Sequence, residues 1–185
     1  MSKQPTFVTS NPSKAEQLSW HLGINLKHTA AEVPEVQSLS LVEVVEHKAR
    51  AAYEVAKGPV LVEDTSLVFN ALGKLPGPLV KWFLQELDND GLCHLLDNYT
   101  DRTATASVLF GYYDGDKLST FDGRAKGTIA MQPVGERGFG WDPIFIPSGY
   151  DKTWGEMTKE EQSDSSMRRI ALGKLEVFLQ EELNK

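Results

Sequence analysis

The stretch TFVTSNPSKAEQLSWHL, residues 6–22, decides the fold class because it predicts a strand, a short polar turn and a helix in direct succession. The apolar run over residues 5–10 predicts a buried strand, and residues 12–22 predict a helix that ends at Gly23. Asn11 suits the N-cap of this helix and Pro12 its first position. A strand that leads straight into a helix is typical of an α/β protein.

Lys14 is not explained by the start of a helix. Unpaired backbone N–H groups and the positive end of the helix dipole favour an anion at this junction, and Lys14 falls at the third helical position beside it. The turn Thr9-Ser10-Asn11 and Lys14 are therefore a candidate phosphate cradle. The alternative is a capped helix with a solvated lysine. The glycine-rich patterns of P-loop and dinucleotide-binding proteins are absent from the chain.

The remaining elements follow from capping, punctuation and periodicity. We predict a helix from the capping box Ser40–Glu43 to about Lys57, a buried strand in VLVEDTS and a helix in LVKWFLQEL. A long β-hairpin is predicted over residues 103–130, centred on Asp114-Gly115-Asp116. An ordered loop over residues 135–154 and an amphipathic helix in the last 20 residues complete the prediction. The chain is thus predicted to form one α/β domain over residues 1–185, with the hairpin as a candidate second lobe.

Composition excludes several classes of function. The 185 residues carry a net charge of −7, which argues against a nucleic-acid coat or an anionic membrane surface as partner. No apolar run approaches the roughly 20 residues that cross a membrane. The single cysteine, Cys93, permits no internal disulfide, so we expect a cytoplasmic protein.

Charged side chains in apolar surroundings mark a candidate metal and phosphate site. Glu63 and Asp64 are adjacent in a predicted strand and therefore point to opposite faces. A carboxylate at such a strand end could bind Mg²⁺ together with phosphate oxygens, with Glu35, on a loop after Pro34, as a candidate second ligand. The alternatives are an ordinary turn at the strand end and a solvated loop glutamate. Lys48 and Lys81 are candidate phosphate contacts, although each could instead extend its ammonium group to water.

The segment GFGWDP, residues 138–143, combines two aromatic residues with glycines and an acid. Phe139 and Trp141 could stack on a nucleobase, and Asp142 could accept a hydrogen bond from a base or hold the loop. The alternative is an aromatic plug beneath a loop. An anion cradle, carboxylates for Mg²⁺, several lysines and an aromatic platform together fit a nucleotide ligand.

The sequence resembles the inosine triphosphate pyrophosphatase family over nearly its whole length. TSNPSK is similar to the family signature T-x-N-x-x-K, VLVEDTSLVFNALGKLPGPLVKWF to its central block, and GFGWDPIFIPSGYDKTWGEM to its third block. The resemblance implies an elongated mixed β-sheet flanked by helices, two lobes with a central cleft, and a homodimer. It further implies Mg²⁺-dependent hydrolysis of ITP, dITP and XTP to the nucleoside monophosphate and pyrophosphate.

The resemblance also assigns roles to individual residues. Those implied to hold the triphosphate are Thr9, Ser10, Asn11, Lys14, Lys48 and Lys81. Glu35 and Asp64 are implied to bind Mg²⁺, and Asp64 and Lys14 to act in catalysis, with Asp64 helping to activate the attacking water. Thr65 is implied to lie beside the nucleotide. Residues implied to form the base and sugar site are Phe139, Gly140, Trp141 and Asp142.

One block departs from the family pattern E-K-N-x-x-S-H-R, which helps to recognise the purine base. In EEQSDSSMRR, residues 160–169, Gln162 replaces the lysine, Ser163 the asparagine and Met167 the histidine, whereas Ser166 and Arg168 remain. Two donors to a 6-oxo purine are thereby weakened or lost. We expect Gln162, Met167 and Arg168 to line the base site, and we expect selectivity among purine bases to be relaxed or shifted. The alternative is that Arg168, Arg169 or main-chain groups take over recognition of the base.

Two other functions are compatible with the same ligand. A nucleotide-binding sensor without turnover is disfavoured because the implied metal ligands and lysines are all present. A pyrophosphatase of the septum-inhibitor type, which prefers modified pyrimidines, is disfavoured by the blocks LPGPLVKWF and GFGWDP.

Overall fold

The computed structural model describes residues 4–10, 12–23 and 26–183. The strands in this part of the chain are β1 (Thr6–Val8), β2 (Lys27–Thr29), β3 (Val60–Phe69), β4 (Pro76–Gly77), β5 (Thr103–Tyr113), β6 (Leu118–Ile129) and β7 (Phe145–Pro147). The α-helices are α1 (Pro12–Leu22), α2 (Leu41–Ala56), α3 (Val80–His94), α4 (Lys159–Ser165) and α5 (Met167–Leu183). No helix in these ranges is long and apolar enough to cross a membrane.

The strands form one seven-stranded mixed sheet with the order β2-β1-β3-β5-β6-β7, and β4 pairs with β3. Strand β1 runs parallel to both β2 and β3, whereas β4 and β7 run antiparallel to their neighbours. The predicted mixed α/β fold with flanking helices is therefore confirmed.

The chain divides into two compact units. The first comprises Met1–Asp64, Val108–Gly123 and Ile170–Lys185, and the second Thr65–Ser107 and Arg124–Arg169. The predicted hairpin exists as β5 and β6, but it is not a lobe of its own, because its tip belongs to the first unit and its base to the second. A single domain over residues 1–185 and a central cleft stay predictions.

The first unit is built on α2. Its inner face contributes Val45, Ala49 and Ala52 to a fully buried cluster with strand residues such as Val62. A side chain at Gly111 would place its Cβ 2.6 Å from Val45, so glycine in β5 allows the helix to approach the sheet closely. This packing fixes the direction in which α2 presents its other side chains.

The start of α2 differs in detail from the predicted capping box. The Ser40 side chain accepts a hydrogen bond from the Glu43 N–H, as expected. The return bond runs through Ser38, whose hydroxyl donates to the Glu43 carboxylate at 2.6 Å and accepts from the Ser40 N–H at 3.0 Å. The Ser38 hydroxyl thus bridges the Glu43 carboxylate and the Ser40 N–H, in place of the direct hydrogen bond between them that a capping box would have.

The second unit is held by a half-buried guanidinium group. Arg102 donates to the main-chain carbonyls of Cys93, Ile129 and Ala130 at 2.7–3.0 Å and so ties the end of α3 to the end of β6. Cys93 is buried, as its helical position predicts, and burial raises the pKa of its thiol to about 11. Helix α3 is not regular throughout: at Asp88 the backbone has φ 54° and ψ −176°.

Candidate active site

Two adjacent carboxylates of β3 each meet a different lysine. Oε1 of Glu63 lies 3.3 Å from Nζ of Lys14, and Oδ2 of Asp64 lies 3.3 Å from Nζ of Lys48. The Glu63 side chain is 1% exposed and the Asp64 side chain 21%. The two environments differ, as expected for neighbouring residues that point to opposite faces of a strand, since one acid is buried and the other is partly open to solvent.

Lys14 reaches Glu63 because α1 begins at Pro12, which puts Lys14 in the first turn of the helix. The lysine side chain is 26% exposed, so its ammonium group is partly accessible to solvent while paired with the buried acid. An ammonium held in this way at the start of a helix adds a fixed positive charge to the site where the helix dipole already favours an anion.

Thr9, at the carboxyl end of β1, has a fixed backbone. Its N–H donates to the Thr29 carbonyl at 3.2 Å, and its own carbonyl lies 2.9 Å from Nε2 of His28. Ser10 follows in an exposed bend. Asn11, the predicted N-cap and triphosphate contact, lies outside the described residues.

Lys48 joins two carboxylates that are far apart in sequence. Its Nζ lies 2.6 Å from Oε1 of Glu35 and 3.3 Å from Oδ2 of Asp64, and its side chain is 14% exposed. Burial by itself would lower the pKa of Lys48, but the carboxylates of Asp64 and Glu35 outweigh it and hold the pKa above its usual value. The two predicted metal ligands therefore converge on one cation.

The donor set fits Mg²⁺. Within the described ranges, no group of three or more His, Cys, Asp or Glu side chains could hold a metal ion by itself. Mg²⁺ characteristically binds one or two carboxylates and completes its coordination with water and substrate phosphates. Glu35 and Asp64, oriented toward a common positive charge, supply that number of carboxylates.

In the second unit, the loop over residues 138–142 separates its two aromatic residues. The Phe139 ring is 74% exposed, whereas Trp141 is 8% exposed and packs against Phe145 and Trp154 with ring centroids 6.0 and 5.7 Å away. Trp141 therefore fills the interior, as the alternative interpretation of this segment expected, and only Phe139 of the pair presents its ring to solvent.

Asp142 closes this loop. Its carboxylate accepts a hydrogen bond from the Phe139 N–H at 2.6 Å. Gly138 is required beside it, because it has φ +86° and an added Cβ would collide with the carboxylate. Burial raises the pKa of Asp142 to about 6, against the opposing effects of the Phe139 N–H and the Arg168 charge.

In the block that departs from the family pattern, Gln162 is half-buried, Met167 is buried and Ser163 is exposed. The Gln162 amide donates to the main-chain carbonyl of Trp154, and Met167 is buried at the first position of α5. Arg168 is half-buried and close enough to Asp142 to act on its pKa. Met167 thus has no donor in place of the histidine, and the amide of Gln162, in place of the lysine, gives a hydrogen bond to the main chain of its own unit.

Two predicted nucleotide contacts lie elsewhere in the second unit. Thr65 is half-buried in β3, directly after Asp64. Lys81 is exposed in the first turn of α3, with its Nζ 5.3 Å from the centre of the Trp82 ring.

The structure adds Glu63 and Asn89 to the predicted residues. In the sequence, Glu63 stood out only as the neighbour of Asp64. Its position inside an apolar strand was the signal that could have identified it, because a buried carboxylate requires a cation as partner. Asn89 donates from Nδ2 to the carbonyl of Gly140 at 3.0 Å, across 51 positions of sequence. No sequence pattern pointed to that contact.

Comparisons with known proteins agree on one family. A sequence model of the Ham1 family matches residues 6–178. The chain is 42% identical over 182 residues to a Schizosaccharomyces pombe protein named inosine triphosphate pyrophosphatase, covering 96% of each, and 42% identical over 171 residues to Trypanosoma cruzi inosine triphosphate pyrophosphatase 2, covering 90% of this chain and 87% of that one.

Solved structures give the same result. The Staphylococcus aureus Ham1 protein superposes with a TM-score of 0.84 at 28% identity, covering 96% of this chain and 99% of that one. A nucleoside-triphosphatase, dITP/XTP pyrophosphatase, of Mycobacterium abscessus superposes with a TM-score of 0.76 at 29% identity, covering 92% and 98%.

Proposed function

The chain belongs to the Ham1 family, and we infer from this that it is a nucleoside triphosphate pyrophosphohydrolase that acts on noncanonical purine nucleotides. The observation that carries the proposal is the pair of lysine–carboxylate contacts at Glu63 and Asp64. Lys14 of the N-terminal signature meets Glu63, and Lys48 of α2 meets Asp64, so both lysines converge on the central block that resembles that of this family. The reaction is the hydrolysis of ITP, dITP or XTP to the nucleoside monophosphate and pyrophosphate.

The proposed mechanism of hydrolysis follows from where negative charge develops during the reaction. Water attacks the α-phosphorus, the bond from that phosphorus to the oxygen bridging to the β-phosphate breaks, and negative charge collects on the departing pyrophosphate. Lys14 and Lys48 supply positive charge for the phosphates, and a carboxylate oxygen of Asp64 accepts the proton of the water. Positioning and charge stabilisation carry such transfers, so no covalent intermediate on the protein is required.

We assign Mg²⁺ to Glu35 and Asp64. When bound, the ion neutralises phosphate charge and lowers the pKa of coordinated water. The support is the convergence of both carboxylates on the Lys48 ammonium, which shows that this pair accommodates a cation.

Recognition of the base is assigned to the loop around Phe139, and its selectivity is relaxed relative to enzymes with the complete E-K-N-x-x-S-H-R block. The support is that the Gln162 amide is committed to the Trp154 carbonyl and that Met167 is buried and has no donor. A site built on donors for a 6-oxo group rejects other purines because those donors would be left unpaired when another purine binds. Where such donors are lost, the free-energy cost of binding another purine falls.

The activity test is release of pyrophosphate from ITP with Mg²⁺, with identification of both products. IMP with pyrophosphate supports the proposal, whereas IDP with phosphate places the attack on a different phosphorus and contradicts it. Asp64→Asn is expected to lose about 10²–10⁴-fold in kcat, in the range of a lost general base. Asp116→Asn, in the exposed hairpin turn, is the matched control. No turnover of any triphosphate would favour the sensor alternative.

Selectivity is tested by kcat/KM for ITP, XTP, GTP and ATP and their deoxy forms. We expect ITP to be preferred over ATP by far less than the roughly 10⁴–10⁵-fold rejection that a site built on hydrogen bonds can reach. A preference of that full size would refute relaxed selectivity and favour recognition by Arg168 or main-chain groups. A homodimer and a cytoplasmic location complete the proposal; light scattering of the purified protein checks the first.

A further inference from the structure

Helix α3 departs from regular geometry where it contacts the loop over residues 138–142. Its backbone breaks at Asp88, whose φ of 54° and ψ of −176° lie in a region that side-chain-bearing residues rarely occupy. Directly after the break, Nδ2 of Asn89 donates a hydrogen bond of 3.0 Å to the carbonyl oxygen of Gly140. The strained residue therefore precedes a specific contact with the loop.

This contact fixes the loop at the residue next to Phe139. Gly140 has φ +62°, and a Cβ added there would lie 3.6 Å from Leu84 of the same helix. On the other side, the Asp142 carboxylate holds the Phe139 N–H at 2.6 Å. The backbone that carries the exposed Phe139 ring is thus held by one side chain of its own loop and one of α3.

The hydrogen bonding of the Asn89 amide shows that its nitrogen, and not its oxygen, makes the contact with the loop. Its Oδ1 is buried and accepts no hydrogen bond from any residue in the described ranges. Exchanging the amide nitrogen and oxygen would oppose two oxygens at Gly140, so the donor must face the loop. An unpaired buried acceptor is unfavourable, and an apolar side chain would avoid it. The amide is explained by its donor, which among the described residues bonds to the Gly140 carbonyl.

We propose that Asn89 is a positioning residue for base recognition, acting through the Gly140 carbonyl to hold the Phe139 ring where a purine stacks. The inference rests on the proposed function, in which this loop binds the base. Asn89 itself contacts no part of the nucleotide. Its loss should therefore weaken binding of the base and leave binding of the phosphates unchanged.

The experiment compares Asn89→Ala and Asn89→Asp with wild type in calorimetric binding of IMP and of pyrophosphate, neither of which requires turnover. Losing one hydrogen bond to the loop should weaken IMP binding by about 3- to 10-fold in both variants. Pyrophosphate binding should stay within about twofold, and KM for ITP should rise with little change in kcat. Gln85→Ala, exposed on the same helix, is the matched control and should change neither ligand.

A double variant separates positioning from general damage. If Asn89 acts through the ring, Asn89→Ala should have no further effect on IMP binding in a Phe139→Ala background. Equal weakening of IMP and pyrophosphate, additive effects in the double variant, or unchanged IMP binding in both single variants would each overturn the inference. Wild-type protein that binds IMP but cleaves no triphosphate would instead count against the proposed function alone.

Discussion

The ammonium nitrogen of Lys48 lies 2.6 Å from Oε1 of Glu35, and the same nitrogen lies 3.3 Å from the carboxylate of Asp64. The three side chains come from a loop, a helix and the middle of a strand, since β3 continues to Phe69 beyond the strand end predicted at Asp64, yet they form one charge cluster in the first unit. Lys48 therefore occupies the position of a counter-cation between the two carboxylates assigned to Mg²⁺. The cluster makes separate predictions for metal binding and for catalysis.

Removing the Lys48 charge should strengthen metal binding while weakening turnover. In Lys48→Met the carboxylates lose their competing cation, so Mn²⁺, measured by electron paramagnetic resonance without nucleotide, should bind about tenfold more tightly, equivalent to about 1.4 kcal/mol. Turnover of ITP should fall because Lys48 is assigned to the phosphates. Lys57→Met, just beyond the end of the same helix and exposed, should change neither quantity. Unchanged Mn²⁺ affinity in Lys48→Met would count against Glu35 and Asp64 as metal ligands.

The contact between Lys14 and Glu63 should contribute to stability as well as to function. Lys14→Met leaves the 1%-exposed Glu63 carboxylate without this cation, and we expect it to lower the free energy of unfolding by about 1–3 kcal/mol. Adding Glu63→Gln should recover most of that stability because the buried charge is gone. The double variant should still bind triphosphate poorly, since Lys14 is absent. Denaturant unfolding and ITP kinetics measure the two effects, and recovery of both together would argue against a phosphate-binding role.

Asp142 should give stability a pH dependence of defined sign. Its pKa is raised from 3.8 to about 6, so the folded protein binds this proton more tightly than the unfolded chain does. The free energy of unfolding should therefore fall as pH rises from about 4 to about 6, by at most about 3 kcal/mol for this group. Asp142→Asn should remove that contribution, whereas the exposed Asp151→Asn should not. Identical pH profiles for wild type and Asp142→Asn would contradict the buried, ionisable state of this carboxyl group.

The two aromatic residues of the loop should respond oppositely to truncation. Phe139→Ala removes an exposed ring, so the melting temperature should hardly change, while the affinity for IMP should fall by about 5- to 100-fold if stacking is lost. Trp141→Ala empties a buried position among Phe145 and Trp154 and should cost about 3–5 kcal/mol of stability. Calorimetry and thermal unfolding separate the two outcomes. Loss of stability in Phe139→Ala would show that this ring packs rather than presents itself to a ligand.

Local sequence signals predicted most of the elements. Helix α1 has the predicted bounds, and the hairpin turns at the predicted Asp114-Gly115-Asp116. Short strands such as β4 carry too few residues for any periodicity and were missed. Helix α4 was also missed, although Thr158 and Glu161 form a full capping box, because its seven residues, KEEQSDS, carry no apolar periodicity.

The candidate site could be predicted wherever the type of a residue and its surroundings in the sequence indicate its chemical role. Charged residues in apolar segments predicted Lys48 and Asp64, and Glu35 was a candidate on a loop; the structure brings all three together. Sequence left open whether the aromatic side chains of residues 138–143 are buried or exposed, and it gave no sign of the contact of Asn89 with Gly140, because both depend on how distant segments pack. Periodicity describes the faces of an element, but it does not tell which neighbour covers them.

Burial of Cys93 has a consequence for the conditions under which this enzyme can work. Cys93 is the chain's single thiol, and with a pKa of about 11 it is almost entirely protonated at neutral pH. Thiolates, rather than thiols, react with peroxides, nitrosating agents and alkylating reagents. Cys93 therefore offers almost no reactive thiolate at neutral pH, and thiol-directed alkylating reagents are expected to leave the activity of the folded protein unchanged.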